Sequence, residues 1–222
     1  MQDNQFTFST LPNPDELEKL NSVPGTVFSS IHIEKGVCKV DENLILQRID
    51  TWGLCTLVFY DKERTQYSLK LESEFITPAF PIVGHGKLVF EVVTQKHLPI
   101  KQRLEQKQTS SSGCSFTVPV GEVKKIKIWG NEQTGFLNEL YPDIKLTDLK
   151  NSIGSDQYSY MSLNSIEGIS VEGDSIALVL ILQEQGFFIF IDRTGQSEKT
   201  IRDNYLKING YEKNIVLKYS TA

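Results

Sequence analysis

Ile176-Ala177-Leu178-Val179-Leu180-Ile181-Leu182-Gln183-Glu184-Gln185-Gly186-Phe187-Phe188-Ile189-Phe190-Ile191-Asp192 is the stretch that decides how this chain folds. Residues 176–182 are apolar without a break, and so are residues 187–191. A strand with one wet face alternates apolar and polar residues, whereas a strand covered on both faces does not. The two runs therefore read as a buried hairpin turning at Gln183-Glu184-Gln185-Gly186, with Leu178, Leu180, Phe188 and Phe190 nearly fully buried. Something must cover each face. A helix over residues 198–205 and helical stretches upstream are the available cover. Asn209-Gly210 marks a tight turn before a last strand over 214–219.

Working outward, residues 26–75 carry a period of two. Val27, Ile31 and Ile33 open a strand, Gly36 is a turn, and Asp41-Glu42-Asn43 is a turn or bulge between strands over 37–40 and 44–49. Residues 54–60 and 67–71 are further strands around Asp61-Lys62-Glu63-Arg64. This pattern is a meander with one buried face. Pro78 and Pro81 interrupt it. A strand over 87–93 follows, then a helix over 100–107 behind Pro99, then the connector Ser110-Ser111-Ser112-Gly113. Residues 115–120 and 123–129 read as strands, and Pro119 places the first at an edge. Residues 130–165 are the least regular. Phe136, Leu137 and Leu140, then Leu146, Leu149 and Ile153, suit helical turns, which predicts a helical insertion near 130–165.

Residues 1–12 read as a disordered N-terminus, and residues 13–222 as a single globular β-rich domain. Asn13-Pro14-Asp15-Glu16 starts a short helix over 14–22, with Leu17 and Leu20 facing inward. The fold class expected is α+β and β-dominated: a large, mostly antiparallel sheet or partly closed barrel of about nine to eleven strands with short covering helices. A two-sheet β-sandwich is the alternative. One internal echo stands out. Leu44-Ile45-Leu46-Gln47, Gly53 and residues 57–62 resemble Leu180-Ile181-Leu182-Gln183, Gly186 and residues 188–193, as a duplicated hairpin or shared turn chemistry would produce.

The 222 residues are 39% hydrophobic and 23% charged, ordinary for a packed domain. A net charge of −5 gives no general attraction to nucleic acid or to an anionic membrane. Cys38, Cys55 and Cys114 are too few and too widely spaced for a disulfide framework or a zinc pattern, so three free thiols in a reducing, cytoplasmic setting are expected. Met1-Gln2-Asp3-Asn4 opens no secretory signal, and no apolar run approaches a bilayer span. The expected protein is therefore soluble, with no membrane and no cofactor.

No motif fixes a chemistry. His85, in Val83-Gly84-His85-Gly86-Lys87, is the catalytic candidate, because flanking glycines admit a ligand and imidazole titrates near neutrality. The turn reading of that stretch is preferred. The three histidines lack metal-ligand spacing, so no metal site is expected. Cys114 has neither a base nor a positive neighbour in sequence. Lys124, Lys125 and Lys127, interleaved towards Trp129, could serve nucleic acid, although alternating lysines also keep a sheet face wet. Phe59 and Phe187 are candidates to line an apolar ligand pocket, against core packing as the default. The favoured function is a non-enzymatic binding or interaction module for a protein partner or a small ligand. The alternatives are an enzyme using His85 with a carboxylate assembled by the fold, and nucleic-acid binding through the lysine-rich segments.

Overall fold

In the computed structural model, residues 4–40, 46–76, 85–95, 114–140, 142, 145, 147–148, 158–183, 186–209 and 214–221 are described. Eleven strands form one sheet: β1 (Asn4–Ser9), β2 (Val27–Val40), β3 (Leu46–Tyr60), β4 (Gln66–Ile76), β5 (His85–Gln95), β6 (Cys114–Phe116), β7 (Lys125–Phe136), β8 (Tyr158–Glu172), β9 (Ala177–Gln183), β10 (Gly186–Asp192) and β11 (Ile215–Ser220). The described helices are α1 (Pro14–Leu20), α2 (Leu137–Leu140) and α3 (Ser197–Asn209). All pairings are antiparallel except β1 with β8. The sheet does not close, so the architecture is the expected β-dominated open sheet with short helices.

The sheet is built from two halves with one topology. Both β6-β2-β3-β4-β5 and β11-β7-β8-β9-β10 place the fifth strand beside the first, followed by the second, third and fourth. The halves join where β10 pairs with β3. Long β3 makes this possible: residues 48–52 face β10, and residues 55–60 face β4. The sheet then folds over, and β5 packs against β8 and β9.

Two adjacent rows of the ladder show how the faces divide. Cys38, Ile49, Ile189, Leu180, Ile169, Ile128 and Tyr219 are partners in turn across six strand boundaries, and all belong to or pack on the main core. One residue along, Val37, Asp50, Phe188, Ile181, Gly168, Trp129 and Leu217 form the outer row. Helix α3 lies over the middle of that outer face, where Ile201 and Tyr205 pack with Trp129, Val179, Ile181 and Ile215 in a second, smaller core. The central hairpin therefore has cover on both faces, as its unbroken apolar runs require.

Several local expectations are corrected. Leu178 and Leu180 are buried, but Phe188 and Phe190 are half-exposed on the outer face, while Phe187, Ile189 and Ile191 turn inward. An unbroken apolar run carries no phase, so it cannot say which residue faces which side. Residues 4–9, read as disordered, form β1, where Phe6 pairs with Met161 and Phe8 with Leu163. Gly36 is no turn. It lies inside β2, where a Cβ would sit 2.6 Å from the Asp50 carbonyl oxygen. Residues 44–62 are not a hairpin either: what is described of them lies along β3, with Gly53 at φ 82° making a bulge opposite Glu34. The echo with 180–193 therefore falls on non-equivalent elements.

Of the stretch 130–165, read as a helical insertion, residues 130–136 belong to β7 and 158–165 to β8, α2 covers 137–140, and most of 141–157, including Leu146, Leu149 and Ile153, lies outside the described residues. A bulge at Glu167 breaks the period of β8. Trp129 pairs with Gly168 and Gly130 with Ile166, which leaves Glu167 without a partner residue on β7. Leu163, Ile166 and Ile169 thereby acquire a helix-like spacing on a strand. Helix α1 matches expectation: Asn13 Oδ1 accepts from the Glu16 amide at 2.9 Å and Glu16 Oε2 accepts from the Asn13 amide at 2.7 Å, a reciprocal cap. The expected helix over 100–107 lies outside the described residues.

Candidate functional site

The turn from β10 into α3, Asp192-Arg193-Thr194-Gly195-Gln196-Ser197, separates two open clefts on the outer face. Gly195, at φ 70°, lets the chain reverse tightly before the helix. The larger cleft, about 590 Å³, is lined by Arg48, Phe190, Asp192, Arg193, Thr194 and Thr200. It straddles the join between the halves, because Arg48 of β3 sits directly opposite Phe190 of β10. Arg48 is held firmly. Its Nε lies 2.6 Å from Asp50 Oδ1 and its Nη2 donates to Asp50 Oδ2 at 3.0 Å. Its guanidinium also lies 4.6 Å from the Phe188 ring centre and 5.9 Å from that of Phe190.

Asp192 is the unusual group in this wall. It is 4% exposed. The Thr194 amide donates to its Oδ1 at 2.8 Å and the Thr194 hydroxyl donates to the same oxygen at 2.6 Å. Its Oδ2 is buried and finds no hydrogen-bond donor among the described residues. Buried carboxylate oxygens are ordinarily satisfied, and leaving one unpaired costs about 1–3 kcal/mol or more.

The smaller cleft, about 420 Å³, is lined by Lys127, Trp129, Ser197, Lys199 and Arg202, among others. Its charges are largely satisfied within the protein. Lys127 pairs with Glu172 at 2.9 Å and Arg202 with Glu198 at 2.9 Å. Trp129 is buried, and its Nε1 donates to Ser170 Oγ at 3.1 Å.

The residues singled out from sequence are scattered. His85 opens β5 opposite Ile76, and its side chain and the loop before it lie outside the described residues. Phe59 and Phe187 are fully buried in the main core, Phe59 edge-on to Phe28 at 5.5 Å, which gives both a packing role. Lys124 is exposed and paired with Glu122 at 2.8 Å and Asp174 at 3.7 Å. The hydrogen bond between them holds the Glu122 carboxyl below its usual range and the Lys124 ammonium above it. Lys125 faces Glu172 in the β7–β8 register. Acidic neighbours thus interrupt the lysine stripe, although Lys127 and Trp129 do meet at one cleft.

Sequence reasoning missed Arg48 and Asp192. Arg48 was one charge in a strand and Asp192 a turn residue, and nothing local joins positions so far apart. It also missed a serine–histidine contact, Ser115 Oγ 2.6 Å from His32 Nδ1, with Ser30 Oγ 3.0 Å from Nε2. A hydroxyl stands at the second nitrogen, where a catalytic triad holds its carboxylate, and the pair is exposed on a strand face. Among the described residues no group of three or more His, Cys, Asp or Glu could hold a metal ion, and no helix is long and apolar enough to cross a membrane. No family model matches the chain, and neither a curated protein nor a solved structure matches it.

Proposed function

We propose that this protein is a non-enzymatic binding module that takes a small ligand in the cleft between β3, β10 and the start of α3. The observation that carries the reading is the cleft of about 590 Å³ in which Arg48 and Asp192, each held by neighbours within the protein, stand beside Phe190. Ligand sites combine apolar walls with a few fixed polar groups. Phe190 supplies the apolar wall here, and Arg48 and Asp192 supply polar groups locked by Asp50 and Thr194. Such locking lowers the entropy lost on binding. A protein partner would engage the same groups by inserting a side chain.

The test is amide NMR of the full chain against a small panel of fragments: phenol, indole, imidazole and acetamide. Shift changes are expected to cluster at residues 48–50, 188–194 and Thr200. Changes spread over the surface, or centred on another face, would contradict the reading.

A further inference from the structure

We infer that β8 carries a strand-accepting groove along residues 158–164, that β1 is its occupant within the chain, and that an extended segment of a partner protein with the same alternation of residues can take that place. The groove shares no residue with the cleft described above. The repeat in the sheet points to it. β3 and β8 are each the second strand of their half, and each changes neighbour along one side, near Gly53 in β3 and at Glu167 in β8. Residues 48–52 of β3 face β10 and residues 55–60 face β4; residues 158–164 of β8 face β1 and residues 168–172 face β9. On β3 the first stretch receives an antiparallel strand from the other half. On β8 none of the ten strands of the two halves takes the equivalent stretch, and β1, the eleventh strand, fills it in parallel. β1 packs on β8 and makes no comparable contact with another described element. It is a strand added to a sheet, the mode in which proteins capture extended peptides.

The seating of β1 defines what fits. Phe6 and Phe8 are in register with Met161 and Leu163, both buried, whereas Thr7 and Ser9 are exposed. Thr10 closes the run. It is buried, its amide donates to the Asn164 carbonyl at 2.9 Å, and its Oγ1 accepts from the Ile166 amide at 2.8 Å. In strand addition the main-chain bonds supply affinity and alternate side chains supply selection. The pattern recognised is therefore apolar, polar, apolar, polar, threonine, running parallel to β8.

The experiment is an amide NMR titration of the full chain carrying Phe6→Asp and Phe8→Asp, which disengage β1. The probe is a synthetic peptide of residues 3–11, Asp-Asn-Gln-Phe-Thr-Phe-Ser-Thr-Leu. It is expected to shift the amides of residues 158–166 and to leave residues 48–50 and 190–194 unmoved. A scrambled peptide of the same composition should shift none of them. The peptide with Thr10→Val should bind about fivefold more weakly, having lost one hydroxyl acceptor. The unsubstituted chain should need at least about tenfold more peptide, because its own tethered β1 competes at an effective concentration in the millimolar range. Phe8→Ser alone gives the same readout in a chain closer to the native one. No shift at residues 158–166 in a folded variant, an equal response to the scrambled peptide, or undiminished binding of the Thr10→Val peptide would overturn the proposal. So would unfolding of both variants, which would make β1 part of the core and not an added strand.

Discussion

Cys55 and Phe188 each show what burial does to a single side chain. Cys55 is fully buried on β3, and burial pushes its thiol up to about 12 from an ordinary 9.0. The folded thiol holds its proton more tightly than the unfolded one. Its contribution to stability is thus complete below pH 9 and lost as pH rises from 9 towards 12. At pH 8 the native Cys55 should resist a maleimide and react at once in denaturant, as mass spectrometry of the labelled peptide would show. Phe187 and Phe188 are neighbours with opposite fates. Phe187 is fully buried in the main core, while Phe188 lies half-exposed under Arg48. Phe187→Ala should cost about 3–5 kcal/mol, and Phe188→Ala about 1–2 kcal/mol. Urea unfolding of the two variants measures the gap, and equal losses would put the faces of β10 in the wrong order. The sequence could not set that order, because both positions are phenylalanine in a run without alternation.

Among elements, α3 depends on the bulge in β8. The extra residue, Glu167, is 5% exposed, and its carboxylate accepts from Ser165 Oγ and, at 2.7 Å, from Tyr205 Oη on α3. A bulge re-aims a side chain that a regular strand would turn the other way. Here it puts a carboxylate under a helix and ties the two together. Removing one hydroxyl donor from a buried carboxylate costs about 1–3 kcal/mol, so Tyr205→Phe should lower stability by that amount. Hydrogen exchange should speed up in α3 and leave β2 unchanged; uniform acceleration would mean that α3 is not locally anchored. Elements with a clean pattern were legible in the sequence: α1 from its cap, the central hairpin from its apolar runs, and α3 from the need to cover that hairpin. The strand β8 was not, because the bulge shifts its phase midway. The polar end of β7 was not, because Glu132, Thr134 and Phe136 are exposed and little apolar periodicity remains.

At the level of the whole molecule, the β3–β10 junction makes both the sheet and the cleft. Each half has the order fifth, first, second, third, fourth strand, and neither half alone holds the cleft. Arg48 and Asp50 come from the first half; Phe188, Phe190 and Asp192 come from the second. A sequence shows local period and turn chemistry, but not which distant strands become neighbours. That is why the β-rich class was readable and the cleft was not. The most direct test is therefore the pairing itself. Interstrand nuclear Overhauser contacts in the isotope-labelled protein should join Arg48 with Phe190, Ile49 with Ile189 and Asp50 with Phe188. A β10 that shows no contacts to β3, or one displaced by a single residue so that Phe190 turns into the core, would contradict the account and remove the site with it.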